Sequence, residues 1–160
     1  MTNSIVDRPP SKALRFGLRL PIILYRLRLG WLLGDRLLML THTGRKSGLP
    51  HQTVIEVVNH DKTTDTYYVV SGWGEKADWY RNIRKTPQVT VHSGGRIFQT
   101  TAEFIPVEKA IEIVNIYARE HPIAFNELSV VFFGERMKSV SDAPSRVAKK
   151  MPMVAFHYQK

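Results

Sequence analysis

Thr43-Gly44-Arg45-Lys46-Ser47-Gly48 places two adjacent cations in a turn bounded by glycines. On either side lie apolar runs that suit strands, Arg36 to Thr41 and Thr53 to Val58. A hairpin closing there holds Arg45 and Lys46 at an exposed tip. Their charge, the Ser47 hydroxyl and main-chain N–H groups can converge on a phosphate or a carboxylate. Gly44 and Gly48 admit positive φ and close approach to the backbone. Three residues past Gly48, His51 can add a donor to a bound anion, and Thr53 is counted with this group. A solvated basic hairpin is the alternative, since Gly and Lys are ordinary at turn tips.

The second stretch with chemistry in it runs from Ser71 to Asn82, following a strand and opening a helix. Ser71-Gly72-Trp73-Gly74 gives a flat ligand room to approach the backbone. N–H groups at a helix start can bond ring carbonyls or an anionic ring nitrogen, and Lys76 can add charge. Trp79 and Asn82, one turn apart, can line one wall. The competing reading makes Trp73 and Trp79 core residues.

These segments need elements to position them. Thr66 to Ser71 reads as a third strand after the polar turn His60 to Asp65, and Ala77 to Arg84 as a short helix before Pro87. Val89 to Ser93 and Arg96 to Ile105 pair as a second hairpin around Gly94-Gly95. Pro106 and Glu108 introduce a helix whose Val107, Ile111, Val114 and Ala118 recur at helical spacing, covering a sheet and ending at Pro122. Ile123 to Phe133 is a second, more apolar helix closed by Gly134. Ser139 to Lys150 is polar, a loop or short helix, and Met153 to Tyr158 is a last strand. Six strands linked by hairpins, mainly β with covering helices, predict a small antiparallel barrel. Ahead of it, residues 1–34 form an amphipathic helical segment in which Lys12, Arg15 and Arg19 share one side and Leu14, Leu18 and Ile22 another. Residues 35–160 are the barrel domain.

At 160 residues the chain suits one domain, and 43% hydrophobic with 23% charged residues excludes large-scale disorder. The 23 Lys and Arg against 14 Asp and Glu give +9, which implies an anionic partner. Without cysteine there is no thiol nucleophile, disulfide or thiolate metal site. No secretory signal is recognisable, and Arg15, Arg19, Arg26 and Arg28 interrupt Leu14 to Gly34 too often for a spanning helix. A cytoplasmic protein is expected, in peripheral contact with the inner face of an anionic membrane. Hydrolase, zinc-protease and Walker motifs are missing and no two histidines stand at ligand spacing on one helix, so no metal is expected. His42, His51, His60, His92, His121 and His157 default to surface or turn positions, with His51 the exception. Scattered basic residues without a stacking platform argue against nucleic acid.

Taken in order, the two segments resemble the deazaflavin-dependent nitroreductases, which use coenzyme F420 on a split β-barrel of the flavin-binding type. The family's strand, Thr-Gly-Arg-Lys-Ser/Thr-Gly and second strand are similar to Leu37 to Val58. Its Ser-x-Gly-Gly, Trp-Tyr-x-Asn and x-Pro-x-Val-x-Val block resembles Val69 to Val91, and its closing Pro-(Ile/Met)-Val strand resembles Pro152-Met153-Val154. The chain departs from the pattern in its shorter Ser71-Gly72-Trp73-Gly74, in Asp78 before Trp79, and in His51 where Arg is usual.

The resemblance implies that Arg45, Lys46, Ser47 and His51 hold the phosphate and oligoglutamate tail of the coenzyme, while Ser71, Gly72, Trp79 and Asn82 flank its ring. It further implies hydride transfer from the reduced coenzyme to an electron-poor small molecule, a quinone, nitroaromatic or activated alkene; a monomer and a homodimer both stay open. The chemistry is then the cofactor's, and the protein orients it and excludes water. Tyr117, Phe125, Phe132 and Phe133 are loose candidates for the substrate side, with core packing favoured for the phenylalanines. Two alternatives remain: a non-catalytic carrier of coenzyme F420 or a fatty acid, and an oxidoreductase using FMN on the same barrel.

Overall fold

The computed structural model describes residues 34–134 and 142–159, together with Ile22, Ile23 and Leu27. The basic amphipathic helix expected before residue 34 otherwise lies outside the described residues.

Among the described residues, seven strands form one antiparallel sheet: β1 (Leu37–Thr43), β2 (Pro50–Asp61), β3 (Thr66–Val70), β4 (Gln88–Ser93), β5 (Arg96–Thr101), β6 (Glu103–Phe104) and β7 (Met153–His157). Their order is β5-β4-β1-β2-β3-β7-β6. The count of six is therefore corrected to seven. The run Arg96 to Ile105, read as one strand, is broken at Ala102, whose N–H donates to Pro87 O at 2.8 Å. Before the break β5 pairs with β4; after it β6 pairs with β7. The two ends of the sheet order are thus adjoining pieces of chain, and the sheet curls into a half-barrel.

Long β2 joins the two halves. Its first part, Pro50 to Glu56, pairs with β1, and its last residues pair with β3 across a register shift between Val57 and Asn59. Such an irregularity bends a strand and tightens its twist, as a curling sheet requires.

Alternation along the strands divides the core in two. Leu38 and Leu40 of β1, Ile55 of β2, Val69 of β3, Val91 of β4 and Phe156 of β7 belong to one buried cluster inside the barrel. Tyr68, Val70, Met153 and Ala155 belong to the other, beneath the helices. Every residue of β3 is buried, because both its faces are covered. Each fully buried aliphatic or aromatic side chain contributes about 1.5–3 kcal/mol relative to exposure.

Four α-helices accompany the sheet, α1 (Asp78–Lys85), α2 (Val107–Glu120), α3 (Pro122–Phe133) and α4 (Ala143–Lys150), and a 3-10 turn spans Gly74–Lys76. The polar stretch before Lys150 resolves into α4, which packs on α2. Helix α2 buries Ala110, Ile113, Val114, Tyr117 and Ala118, so the stripe is rotated from the expected one and Val107 is exposed. Phe125 and Phe133 are core residues, as favoured. No described helix is long and apolar enough to cross a membrane.

Candidate functional site

The barrel interior changes character along the β1–β2 hairpin. Leu38 pairs with Ile55, Leu40 with Thr53, and His42 with His51, so one face passes from aliphatic to imidazole as it nears the turn. His42 and His51 stack with ring centroids 6.0 Å apart. Beyond them the turn closes through Gly44 N–H to Leu49 O and Gly48 N–H to Gly44 O, both 2.8 Å. Ser47 Oγ accepts from Leu49 N–H at 3.2 Å and lies 3.3 Å from His51 Nε2. A Cβ on Gly44 would stand 2.6 Å from both His51 Nε2 and Ser47 Oγ. Only glycine lets these two side chains close over the backbone.

Helix α1 braces this turn with one face. Asp78, Asn82 and Lys85, at i, i+4 and i+7, lie along a single stripe. All three meet Arg45. The Arg45 N–H and Nη1 both donate to Asn82 Oδ1, at 3.1 and 2.9 Å. Nη2 donates to Asp78 Oδ1 at 2.9 Å, and Lys85 Nζ donates to Arg45 O at 2.8 Å. Arg45 is consequently only 20% exposed, whereas Lys46, Ser47 and His51 stay exposed. The expectation of two equivalent exposed cations is corrected: Lys46 fits it and Arg45 does not.

Asn82 continues inward. It is buried, and its Nδ2 donates to Nδ1 of buried His42 at 3.1 Å. Burial first, and the neighbouring His51 second, lower the pKa of His42 to about 4, against a smaller opposing influence of Asp78. His42 is therefore neutral at pH 7, with Nδ1 as acceptor and the proton on Nε2.

The Ser71–Gly74 segment has its own bracing. Ser71 is fully buried; its N–H donates to Pro152 O at 2.9 Å and its Oγ to Gly74 O at 2.7 Å. Gly74 has φ +62°, and a Cβ there would come within 3.2 Å of Lys150 O. The segment is thereby pressed against the end of α4 and the start of β7. Trp73 and Trp79 are half-buried and pack on the barrel cluster, Trp79 also meeting Tyr80 edge-on at 5.9 Å. Lys76 is exposed, Gly72 is buried and Thr53 is half-buried inside the hairpin.

A model of the F420H(2)-dependent quinone reductase family matches residues 27–126. The chain belongs to this family. A comparison with curated proteins gives no match. Among solved structures the reductase is similar to one described as an F420-H2 dependent reductase (FDR-A), at 19% identity and TM-score 0.51, over 77% of this chain and 95% of that one. It is similar to a protein described as a domain-swapped dimer, at 18% identity and TM-score 0.51, over 85% and 98%. A pyridoxamine 5′-phosphate oxidase-related, FMN-binding protein from Nostoc punctiforme matches at 11% identity and TM-score 0.53, over 94% and 81%. At these identities the likeness is one of fold, the split barrel.

The family makes the protein an F420-dependent reductase, and its donor set fits such a coenzyme. Lys46, Ser47 and His51 offer exposed donors around one turn, beside an Arg45 already placed by α1. Anionic groups are what such donors bind. Among the described residues no cluster of three or more His, Cys, Asp or Glu side chains could hold a metal.

The surface or turn position expected of His42 is corrected, since it lies buried within β1, and neither Asp78 nor Lys85 stands out in the sequence as a partner of the turn. Two of the signals were present. His42 is in phase with Leu38 and Leu40 along β1, which predicts an inward side chain. Asp78, Asn82 and Lys85 form a polar stripe at helical spacing, although nothing local names Arg45 as its partner.

Proposed function

We propose that this reductase transfers a hydride from reduced coenzyme F420 to an electron-poor acceptor of the quinone class, nitroaromatics and activated alkenes being further acceptors. The observation that carries the reading is the contact of Arg45 with Asn82, which makes the basic turn and the helix behind Ser71–Trp79 one rigid unit. A ligand with an anionic tail and a flat ring has a use for both halves.

In this reading Lys46, Ser47 and His51 receive the tail, with Thr43, Gly44 and Gly48 shaping the turn and Arg45 lending its charge from beneath. Trp73 and Trp79 flank the ring, with buried Ser71 and Gly72 shaping the backbone behind them and Lys76 at the mouth; Thr53, two residues along β2 from His51, belongs to the tail side. Asn82 acts on the site through Arg45 and His42. Bound there, the reduced deazaflavin supplies a hydride from its C5. The protein's own work is to bind, orient and exclude water, so no nucleophile or general base is assigned.

A titration of purified protein with the oxidised coenzyme, followed by its fluorescence and repeated with FMN as competitor, tests the cofactor assignment. Saturable micromolar binding that FMN does not displace is expected. Binding of FMN in preference to the deazaflavin would move the protein to the flavin reading. Peripheral membrane contact is a further part of the proposal and rests on the basic pattern from Lys12 to Leu33. Co-sedimentation with anionic but not neutral vesicles is expected, and no sedimentation with either would remove it.

A further inference from the structure

Arg45 already holds an anion of its own protein. Its Nη2 meets Asp78 Oδ1 at 2.9 Å, and the Asp78 side chain is 83% exposed where that of Arg45 is 20% exposed. An ion pair so open to water adds little to stability. Nor does the turn depend on it for its position, because Asn82 and Lys85 each bond the Arg45 backbone independently. What the carboxylate does change is the field at the turn. It sets a full negative charge against the inner cation of a site whose other cations, Lys46 and Lys85, are exposed to solvent.

We propose that Asp78 is a built-in competing anion, which shares Arg45 with the negatively charged tail of the ligand and so holds the tail site to moderate affinity and rapid exchange. The inference rests on the functional reading above. A hydride donor is spent in each turnover and has to leave before the next, and several negative charges on its tail oppose that departure. Asp78 repels those charges and keeps its own claim on the guanidinium. Asn82 meanwhile holds the Arg45 backbone and Nη1, so the arginine stays in place whichever anion it faces.

The test compares wild type with Asp78→Asn, which removes the charge and keeps a side-chain acceptor, and with Asp78→Ala, which removes both. Each is titrated with oxidised coenzyme F420 and with the bare deazaflavin chromophore, which lacks phosphate and glutamates. Both variants are expected to bind the coenzyme about three- to tenfold tighter with slower release. Affinity for the bare chromophore is expected to be unchanged, and urea unfolding curves to overlay. If wild type binds the coenzyme and Asp78→Asn binds it equally or more weakly, Asp78 only positions Arg45 and the proposal is overturned. Equal tightening for both ligands also overturns it, because the effect is then not one of tail charge. A wild type that binds neither ligand brings down the functional reading, and this inference with it.

Discussion

Replacing Asn82 by Ala removes three hydrogen bonds from the joint between turn and helix, and their surroundings set the cost. The bond from Nδ2 to His42 Nδ1 is buried, so its loss leaves a ring nitrogen unsatisfied away from water, at about 1–3 kcal/mol. The two bonds from Arg45 are only part-buried. Water replaces them at about 0.5–1 kcal/mol for the pair. Together these give a loss of roughly 1.5–4 kcal/mol, a fall in melting temperature of about 3–16 °C for a chain of this length. Urea unfolding at pH 7.5, followed by circular dichroism, measures it. A double-mutant cycle with Arg45→Ala, which removes the Nη1 bond and keeps the backbone one, should return a coupling of about 0.5 kcal/mol. A loss below about 0.5 kcal/mol with no coupling would mean that water serves Arg45 and His42 as well as Asn82 does, and that the joint is not a rigid unit.

Three further outcomes follow from the same geometry. His42 titrates at about 4 in the fold against 6.5 as its ordinary value, so the unfolded chain takes up the proton first. Its contribution is full above pH 6.5 and is lost as pH falls towards 4, on the order of 2 kcal/mol by pH 5; an NMR midpoint for His42 above 6 would refute the buried neutral imidazole. Gly44→Ala drives a methyl into His51 and Ser47. Those exposed side chains can swing aside at a cost of about 1 kcal/mol or less, so coenzyme affinity should fall severalfold with little change in melting. Lys46→Ala should leave the melt unchanged and weaken the coenzyme by about 1.5–3 kcal/mol, whereas Arg45→Ala should lower both; identical melts for the two would contradict the bracing by α1.

Much of this fold is legible in the chain, for local reasons. Glycine-bounded turns at Gly44–Gly48 and Gly94–Gly95 mark the β1–β2 and β4–β5 hairpins, and Pro122 and Gly134 bound α3 by their own stereochemistry. The division of Arg96 to Ile105 is not legible, because the break at Ala102 is made by a hydrogen bond to Pro87 and by pairing of β6 with a strand some fifty residues onward. The same contrast runs through the site. The basic turn and the Ser71–Asn82 segment announce themselves by residue type. That Arg45 belongs to α1 rather than to solvent depends on a contact across 37 positions. A polar stripe shows that a helix face has a partner without saying which one.

Mixing the protein with reduced coenzyme F420 and a soluble naphthoquinone, and following the fluorescence of the oxidised coenzyme alongside quinol formation, tests the central claim most directly. Protein-dependent appearance of both products in equal amounts, slowed in Lys46→Ala at subsaturating coenzyme, is the predicted result. Tight coenzyme binding with no protein-dependent oxidation by the naphthoquinone would contradict it.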